Sequence, residues 1–225
     1  MLFGILRGEY GFMEALMQVL AILVIIFLVL PFHEWAHAYA ALKLGDKSIK
    51  YTSRLSLNPV HHIDPVGALC ILMFGFGWAK PVMINSRYFR NPKVGMAISA
   101  AAGPLANIVA AVAGAFMVNL LLIFYSSAAG ALYYILLFFM FYTNVNISLA
   151  VFNLLPFPPL DGSKILFGFL PDSMAEMAYQ LERYSYIILI LIMTTGIMSG
   201  FMGFLSSAIY SGIMYVTALP FALVR

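Results

Sequence analysis

Charged residues are scarce in this chain of 225 residues, which is 9% Asp, Glu, Lys and Arg and 63% hydrophobic. This composition lies far outside the range of soluble domains and excludes a soluble globular protein. Cysteine is scarcer still: Cys70 stands alone, so no intrachain disulfide can form. A compact basic domain is also missing, and we therefore expect no nucleic-acid partner.

Long runs without charge are present instead, at residues 94–160 and 184–224, and a third extends from Ala15 to His33. A membrane-spanning helix needs about 20 mainly apolar residues. The first two runs have room for two helices each, and the third makes one helix if it continues past His33. A shorter run, 65–79, contains two breaking glycines and predicts a re-entrant segment. We predict an all-α polytopic membrane protein with about five transmembrane helices and this re-entrant segment.

Nearly all lysines and arginines lie in two connecting segments, about 43–93 and 161–183. The positive-inside rule puts both segments on the cytoplasmic side, with the N-terminus outside. We expect a single domain over residues 1–225, with a catalytic core at 15–165 and a C-terminal helical hairpin at 184–224. Residues 49–57 alternate in polarity and 79–85 have an extended character, which predicts a small strand-containing cytoplasmic element.

An HExxH motif, His33-Glu34-Trp35-Ala36-His37, lies in what reads as one helix from about Met17 to Leu44. Residues four apart project from nearly the same face of a helix, so His33 and His37 can bind one metal ion. Glu34 lies to one side, close to the metal without being a ligand. Ionisable residues are costly at membrane depth and tend to be functional. The alternative is a helix that ends near Pro31 and leaves the histidines in interfacial water.

A catalytic zinc site usually has three protein ligands, so a third residue is needed. Asp161 is the leading candidate because it follows the third predicted helix, at the end of the segment from Asn153 to Gly162. Asp64 is the main rival for the third ligand. The alternative for Asp161 is a turn residue with a purely structural role. Two histidines and a carboxylate also suit iron(II), so the ligand types alone do not choose the metal.

Three motifs in chain order together resemble the site-2 protease family of intramembrane zinc metalloproteases: His33-Glu34-x-x-His37, Gly103-Pro104-x-x-Asn107, and Asn153 to Asp161-Gly162. Segments 58–67 and 77–82 are similar to a compact bacterial branch of that family, without a PDZ or nucleotide-sensing domain. The resemblance implies one Zn²⁺ per chain, held by His33, His37 and Asp161. It also implies that Glu34 acts as general base and acid and that Asn153 stabilises the oxyanion.

Supporting roles follow less directly from the resemblance. Asn107 is as easily explained by packing between helices as by a contact with the active site. His62 and Asp64 belong to a motif of the bacterial branch, and the resemblance implies that they support the site. Adjacent loop histidines near a membrane are, however, more often interfacial.

The function that the resemblance implies is hydrolysis of peptide bonds within or near transmembrane segments, in a bacterial cytoplasmic membrane. The substrate would be another membrane protein, unwound and paired with a strand at 49–57 or 79–85. One alternative is a catalytically inactive zinc-binding membrane protein. Another is a different metallohydrolase that acts on lipids or prenylated peptides.

Overall fold

The computed structural model describes residues 11–74, 77–125, 130–185, 187, 189, 191 and 197–222. Across these residues the chain is helical and has no β-strand. Four of the described helices are long and apolar enough to cross a membrane. The described residues therefore confirm an α-helical architecture suited to a membrane. A fifth span, predicted in the first half of 184–224, falls largely outside the described residues.

The first helix, α1, runs from Phe12 to Leu44 and includes a π-helical stretch at Ile25–Val29. The predicted continuous helix is confirmed, and it does not end near Pro31. Proline has no N–H for the preceding turn, and its ring crowds the carbonyl four residues back. The wider π-helical turn just before Pro31 accommodates this defect two residues ahead of His33.

A glycine ends α1 in a Schellman motif. Gly45 has φ 122°, the N–H of Asp46 donates to the Ala41 carbonyl at 3.0 Å, and the Gly45 N–H donates to the Leu42 carbonyl at 3.2 Å. These bonds satisfy carbonyls that the end of a helix would leave without partners. The chain thereby reverses direction directly after the last turn of α1.

The segment after α1 corrects one prediction. Residues 49–57 were expected to supply a strand, but the chain forms 3₁₀ turns at Lys47–Tyr51 and Ser53–Leu55, so that prediction is wrong. The cause is local capping: the Asp46 carboxylate accepts the Ser48 N–H, and the Thr52 hydroxyl accepts the Arg54 N–H. Short polar side chains of this kind compete with strand pairing for the backbone.

A short helix and an irregular segment follow. Helix α2, Pro65–Phe74, is too short to cross a bilayer and packs Ile71 against Ile22 and Ile26 of α1. Its re-entrant placement in the membrane stays a prediction. Residues 77–85, which we call the strap, have no regular secondary structure and no strand partner in the described part of the chain. The predicted strand at 79–85 is therefore not confirmed.

The remaining described helices are α3 (Pro92–Phe124), α4 (Ala131–Asn153), α5 (Asp161–Phe169), α6 (Ala175–Arg183) and α7 (Ile197–Ala218). Helix α3 is central and contacts α1, α4, α5 and α7. One face of α3 carries small or short polar residues at four-residue spacing, all of them buried: Gly95, Ser99, Gly103, Asn107, Ala111 and Ala115. Small residues let helices approach closely in a membrane, so this stripe brings α1 and α4 against α3.

The Schellman glycine gives a test of the fold. We expect Gly45→Ala to lower the free energy of unfolding by about 1–3 kcal/mol, because φ 122° is unfavourable for alanine. The added Cβ would also lie 2.7 Å from the Tyr88 carbonyl oxygen. Thermal unfolding in detergent measures the effect. Gly212→Ala is the matched control, since its Cβ meets nothing within 4 Å, and an equal loss in both variants would contradict the explanation.

Candidate metal centre

Two helices bring three metal-ligating side chains together. His33 and His37 lie one turn apart on the buried face of α1, and Asp161 is the first residue of α5. The two histidine Nε2 atoms are 3.1 Å apart, and Asp161 Oδ2 lies 3.4 Å from His33 Nε2 and 3.1 Å from His37 Nε2. All three side chains are buried. In the described residues this is the one such cluster that could hold a metal ion.

The separations between the donor atoms fit zinc. Ligand atoms at about 2.0–2.1 Å from a tetrahedral zinc lie about 3.3 Å from one another. The measured separations of 3.1–3.4 Å bracket this value. Three protein ligands are also the usual number in a catalytic zinc site, where the fourth position would take water or substrate.

Hydrogen bonds at the far side of each imidazole fix its orientation. His33 Nδ1 lies 2.8 Å from Asn107 Oδ1, and His37 Nδ1 lies 2.7 Å from the Ser99 carbonyl oxygen. Both partners accept, so each Nδ1 carries the proton and donates it. Each Nε2 then keeps its lone pair for a metal, which is the usual outer-shell arrangement around a metal-binding histidine. Asn107 thus contacts the site in addition to packing between helices.

Gly103 of α3 lies directly against the two ligand atoms. A Cβ at this position would come within 2.2 Å of His37 Nε2 and 2.6 Å of His33 Nε2. Any side chain at Gly103 would therefore displace the imidazoles. The small-residue stripe of α3 has a second consequence here, because it leaves the space in which the metal ligands meet.

The backbone turn after α4 places Asp161. A Cβ on Gly162 would lie 2.2 Å from the Leu154 carbonyl oxygen and 2.3 Å from that of Leu155. Only glycine lets the start of α5 lie this close to the last turn of α4. The carboxylate is directed at the histidine pair by that contact. On its outer side, Lys164 Nζ lies 3.7 Å from Asp161 Oδ1.

The electrostatic surroundings keep Asp161 ionised. Burial raises the pKa of the Asp161 carboxyl group, but the two histidines beside it, His37 and His33, outweigh burial. The pKa is held below its usual value. A divalent cation in the same place acts in the same direction. The carboxylate is therefore in the form that a metal ligand needs.

Glu34 lies beside the cluster without belonging to it. Its side chain is buried, and its Oε2 accepts the backbone N–H of Val82 in the strap at 3.2 Å. A second strap residue is held in the same manner, because Asp46 Oδ2 accepts the Asn85 N–H at 2.8 Å. Two carboxylates therefore bind the strap: Glu34, within α1, and Asp46, two residues after α1 ends. The sequence did not predict these two hydrogen bonds, because their donors are backbone N–H groups that do not depend on residue type.

A cavity of about 570 Å³ opens onto the cluster, and we call it the catalytic cavity. The two histidines, Glu34 and Asp161 line it, and the strap contributes much of the opposite wall. Asn153, at the end of α4, also lines the cavity, and its Nδ2 donates to the Leu149 carbonyl at 3.0 Å. The five residues assigned from the sequence as ligands or catalytic groups therefore share one cavity.

Two of the supporting residues lie elsewhere. Asp64 caps α2, because its Oδ1 accepts the Val66 and Gly67 N–H groups at 2.9 Å each. His62 is buried, and its Nε2 lies 2.6 Å from the Ser56 carbonyl oxygen. Neither residue joins the metal-binding cluster. Asp64 is therefore not supported as a rival ligand, and both residues shape the chain that leads to the strap.

Comparisons with known proteins agree with this site. An HExxH helix whose two histidines meet a carboxylate from another helix is an arrangement typical of zinc metalloproteases. Residues 119–195 match the model of peptidase family M50, a range that includes Asn153 and Asp161. With the relative described next, this shows that the chain belongs to peptidase family M50, the site-2 proteases.

Two curated relatives carry related names. "Putative zinc metalloprotease YwhC" of Bacillus subtilis is 37% identical over 164 residues, which cover 72% of this chain and 75% of the relative. "Putative zinc metalloprotease Rip2" of Mycolicibacterium smegmatis is 26% identical over 168 residues, which cover 72% of this chain and 62% of that protein. No solved structure matches the chain significantly. The chain is thus a zinc metalloprotease, and its described residues include four helices suited to a membrane.

The bond between Asn107 and His33 predicts a loss of zinc affinity on mutation. We expect Asn107→Ala to weaken zinc binding about 10- to 100-fold, because His33 loses the acceptor that fixes its tautomer. Competition with a chelator of known affinity measures the change. Asn119→Ala is the matched control on α3, since Asn119 bonds Thr217 instead. Equal affinity in Asn107→Ala and wild type would show that the bond does not orient His33.

The close approach of Gly103 predicts a steric effect. We expect Gly103→Ala to lower zinc affinity by about 10-fold or more, because the methyl group would overlap His37 Nε2. The same chelator competition is the measurement. Gly200→Ala, whose Cβ meets nothing within 4 Å, is expected to retain wild-type affinity. If Gly103→Ala also retained it, the space beside the ligands would have no bearing on zinc binding.

Proposed function

We propose that this zinc metalloprotease hydrolyses peptide bonds within or near the transmembrane segments of other membrane proteins. The observation that carries the proposal is the position of the HExxH motif. His33, Glu34 and His37 lie inside the apolar 33-residue helix Phe12–Leu44 and are buried. A catalytic group enclosed in such a helix is reached by a substrate that also lies in the membrane.

In this proposal His33, His37 and Asp161 hold the zinc ion. A bound zinc ion would lower the pKa of its water and polarise the substrate carbonyl. Glu34 takes a proton from the attacking water and later delivers it to the leaving amine. Its Oε2 is held by the Val82 N–H, and we assign proton transfer to the other oxygen, Oε1. The Val82 bond fixes the direction in which that oxygen faces.

Asn153 is the proposed donor to the oxyanion. One N–H of its amide is engaged by the Leu149 carbonyl of its own helix, which fixes the side chain against α4. An amide has two N–H groups, so the second remains for a developing negative charge. A preorganised donor of this kind contributes about 3–4 kcal/mol to transition-state stabilisation in enzymes that use one.

A substrate helix must unwind before it is cut, because its backbone carbonyls are already bonded. The strap offers backbone outside any helix beside Glu34, and Met83 is 81% exposed there. Extended peptides commonly bind by lying along such a backbone edge. We propose that the strap binds the unwound substrate, a role that the 3₁₀ turns at 47–55 cannot take.

The basic segments support an orientation in the membrane. Residues 43–93 and 161–183 carry nearly all the lysines and arginines, and both adjoin the end of α1 that carries the metal ligands. By the positive-inside rule we place this end in the cytoplasm, with the N-terminus outside, in a bacterial cytoplasmic membrane. The metal centre then faces the cytoplasmic side.

Zinc content and cleavage together test the proposal. We expect about one zinc ion per chain in wild type, loss of zinc in Asp161→Ala, and retention of zinc without cleavage in Glu34→Gln. Zinc is measured by elemental analysis of the detergent-purified protein. Cleavage is measured on a single-span model substrate with mass-spectrometric mapping of the cut. Cleavage that survives Glu34→Gln would remove the proposed base, and zinc without cleavage in wild type would favour an inactive zinc-binding protein.

A further inference from the structure

A second cavity of about 380 Å³ adjoins the catalytic cavity. Its lining is mainly apolar and includes Pro92 at the start of α3, Phe167 of α5, and Leu170, Pro171 and Met174, which follow α5. Ser86, in the turn before α3, and the charged residues Lys93, Lys164 and Glu182 also line it. Met96 of α3 and Lys164 of α5 line both cavities. The two cavities therefore share a wall at Met96 and Lys164. The Lys164 side chain is the one that lies beside Asp161.

The strap connects the two cavities along the chain. Strap residues from Gly77 to Ile84 line the catalytic cavity, and Ser86, the first residue after the strap, lines the second. Val82, which bonds Glu34, lies four residues before Ser86, a distance of about 13 Å in an extended chain. A peptide extended along the strap beside Glu34 therefore reaches the second cavity within about four residues.

We propose that the second cavity is a substrate subsite, a role that rests on the proposed function. It binds an extended, mainly apolar stretch of the polypeptide being cleaved, about four or more residues from the scissile bond. The stretch leaves the catalytic cavity past Lys164 and Met96 and enters at the Pro92 end of α3. Its apolar side chains pack against Phe167, Leu170 and Met174.

The walls of the second cavity are tied together. Lys93 Nζ, in the first turn of α3, donates to the Leu170 carbonyl at the end of α5 at 3.0 Å. Gly168 of α5 lies so close to α3 that a Cβ would come within 2.6 Å of the Ala97 Cβ. The cavity is therefore formed by two helices that are packed and bonded, and it is present before any substrate binds. A preformed apolar site is the kind that binds an extended chain with little reorganisation.

A test compares two lengths of one model substrate. The cut in a single-span substrate is first mapped by mass spectrometry. Two versions of the substrate are then made, with about ten or about three residues kept beyond the cut. The shortened side is the one that leaves the membrane at the Pro92 end of α3. Three residues span about 10 Å and stop short of Ser86, whereas ten reach well past it. We expect wild type to cleave the longer version with a kcat/KM about 10-fold higher.

Filling the cavity then removes this preference. We expect Ser86→Trp to lower kcat/KM for the longer substrate about 10-fold, through KM, and to leave the shorter substrate and the zinc content unchanged. Ser53→Trp is the matched control, because Ser53 is exposed and lines neither cavity. Equal effects of Ser86→Trp on both lengths, or no length preference in wild type, would overturn the subsite and leave the protease intact. Failure of wild type to cleave either version would instead overturn the proposed function.

Crosslinking gives a second measurement that does not depend on tolerance of tryptophan. The variant Cys70→Ser, Glu34→Gln, Ser86→Cys carries one cysteine at the second cavity and does not turn over the substrate. With a mild thiol oxidant added, we expect a disulfide to form with substrates that carry a single cysteine about four to eight residues beyond the cut. The same chain with the cysteine at position 53 should not crosslink. Absence of crosslinks at Ser86→Cys, with zinc content retained, would contradict the subsite.

Discussion

The close contact between α1 and α3 is the constraint on which the site depends. The ligand atoms of His33 and His37 lie where a side chain at Gly103 would be, and the outer nitrogens bond to acceptors one turn to either side on α3. A larger residue on this face would separate the helices and remove both acceptors from reach. The contact that packs α1 against α3 therefore also orients the metal ligands, which couples the fold to metal binding.

The third ligand depends on a different kind of contact. Asp161 follows a non-helical segment, because α4 ends at Asn153 and α5 begins eight residues later. Gly162 lies against the Leu154 and Leu155 carbonyls just after α4, so the start of α5 is fixed by backbone rather than by side chains. Irregular backbone is tolerated in a membrane where it lines a cavity. Here that backbone holds both Asp161 and Asn153 at the cavity wall.

Much of this arrangement could be predicted from the sequence, because membrane helices and HExxH spacing leave strong signals in residue type. The long helix through His33 and the small-residue face of α3 follow from such signals, whereas the choice of Asp161 over Asp64 comes from the resemblance to the site-2 proteases. The 3₁₀ turns within 47–55 could not be predicted, and a strand was expected instead, because an alternating pattern does not reveal that Asp46 and Thr52 cap local turns. Asn107 was left open for a related reason: an intramembrane asparagine looks the same whether it bonds a histidine or a neighbouring helix.

The strap was predicted as extended, but its attachment could not be predicted, since the donors are backbone N–H groups. The Glu34 bond to Val82 and the Asp46 bond to Asn85 hold the strap from the side of α1. In the proposed function these two bonds keep the base in position while the substrate enters the catalytic cavity. The strap then joins substrate binding to the orientation of the base through one backbone segment.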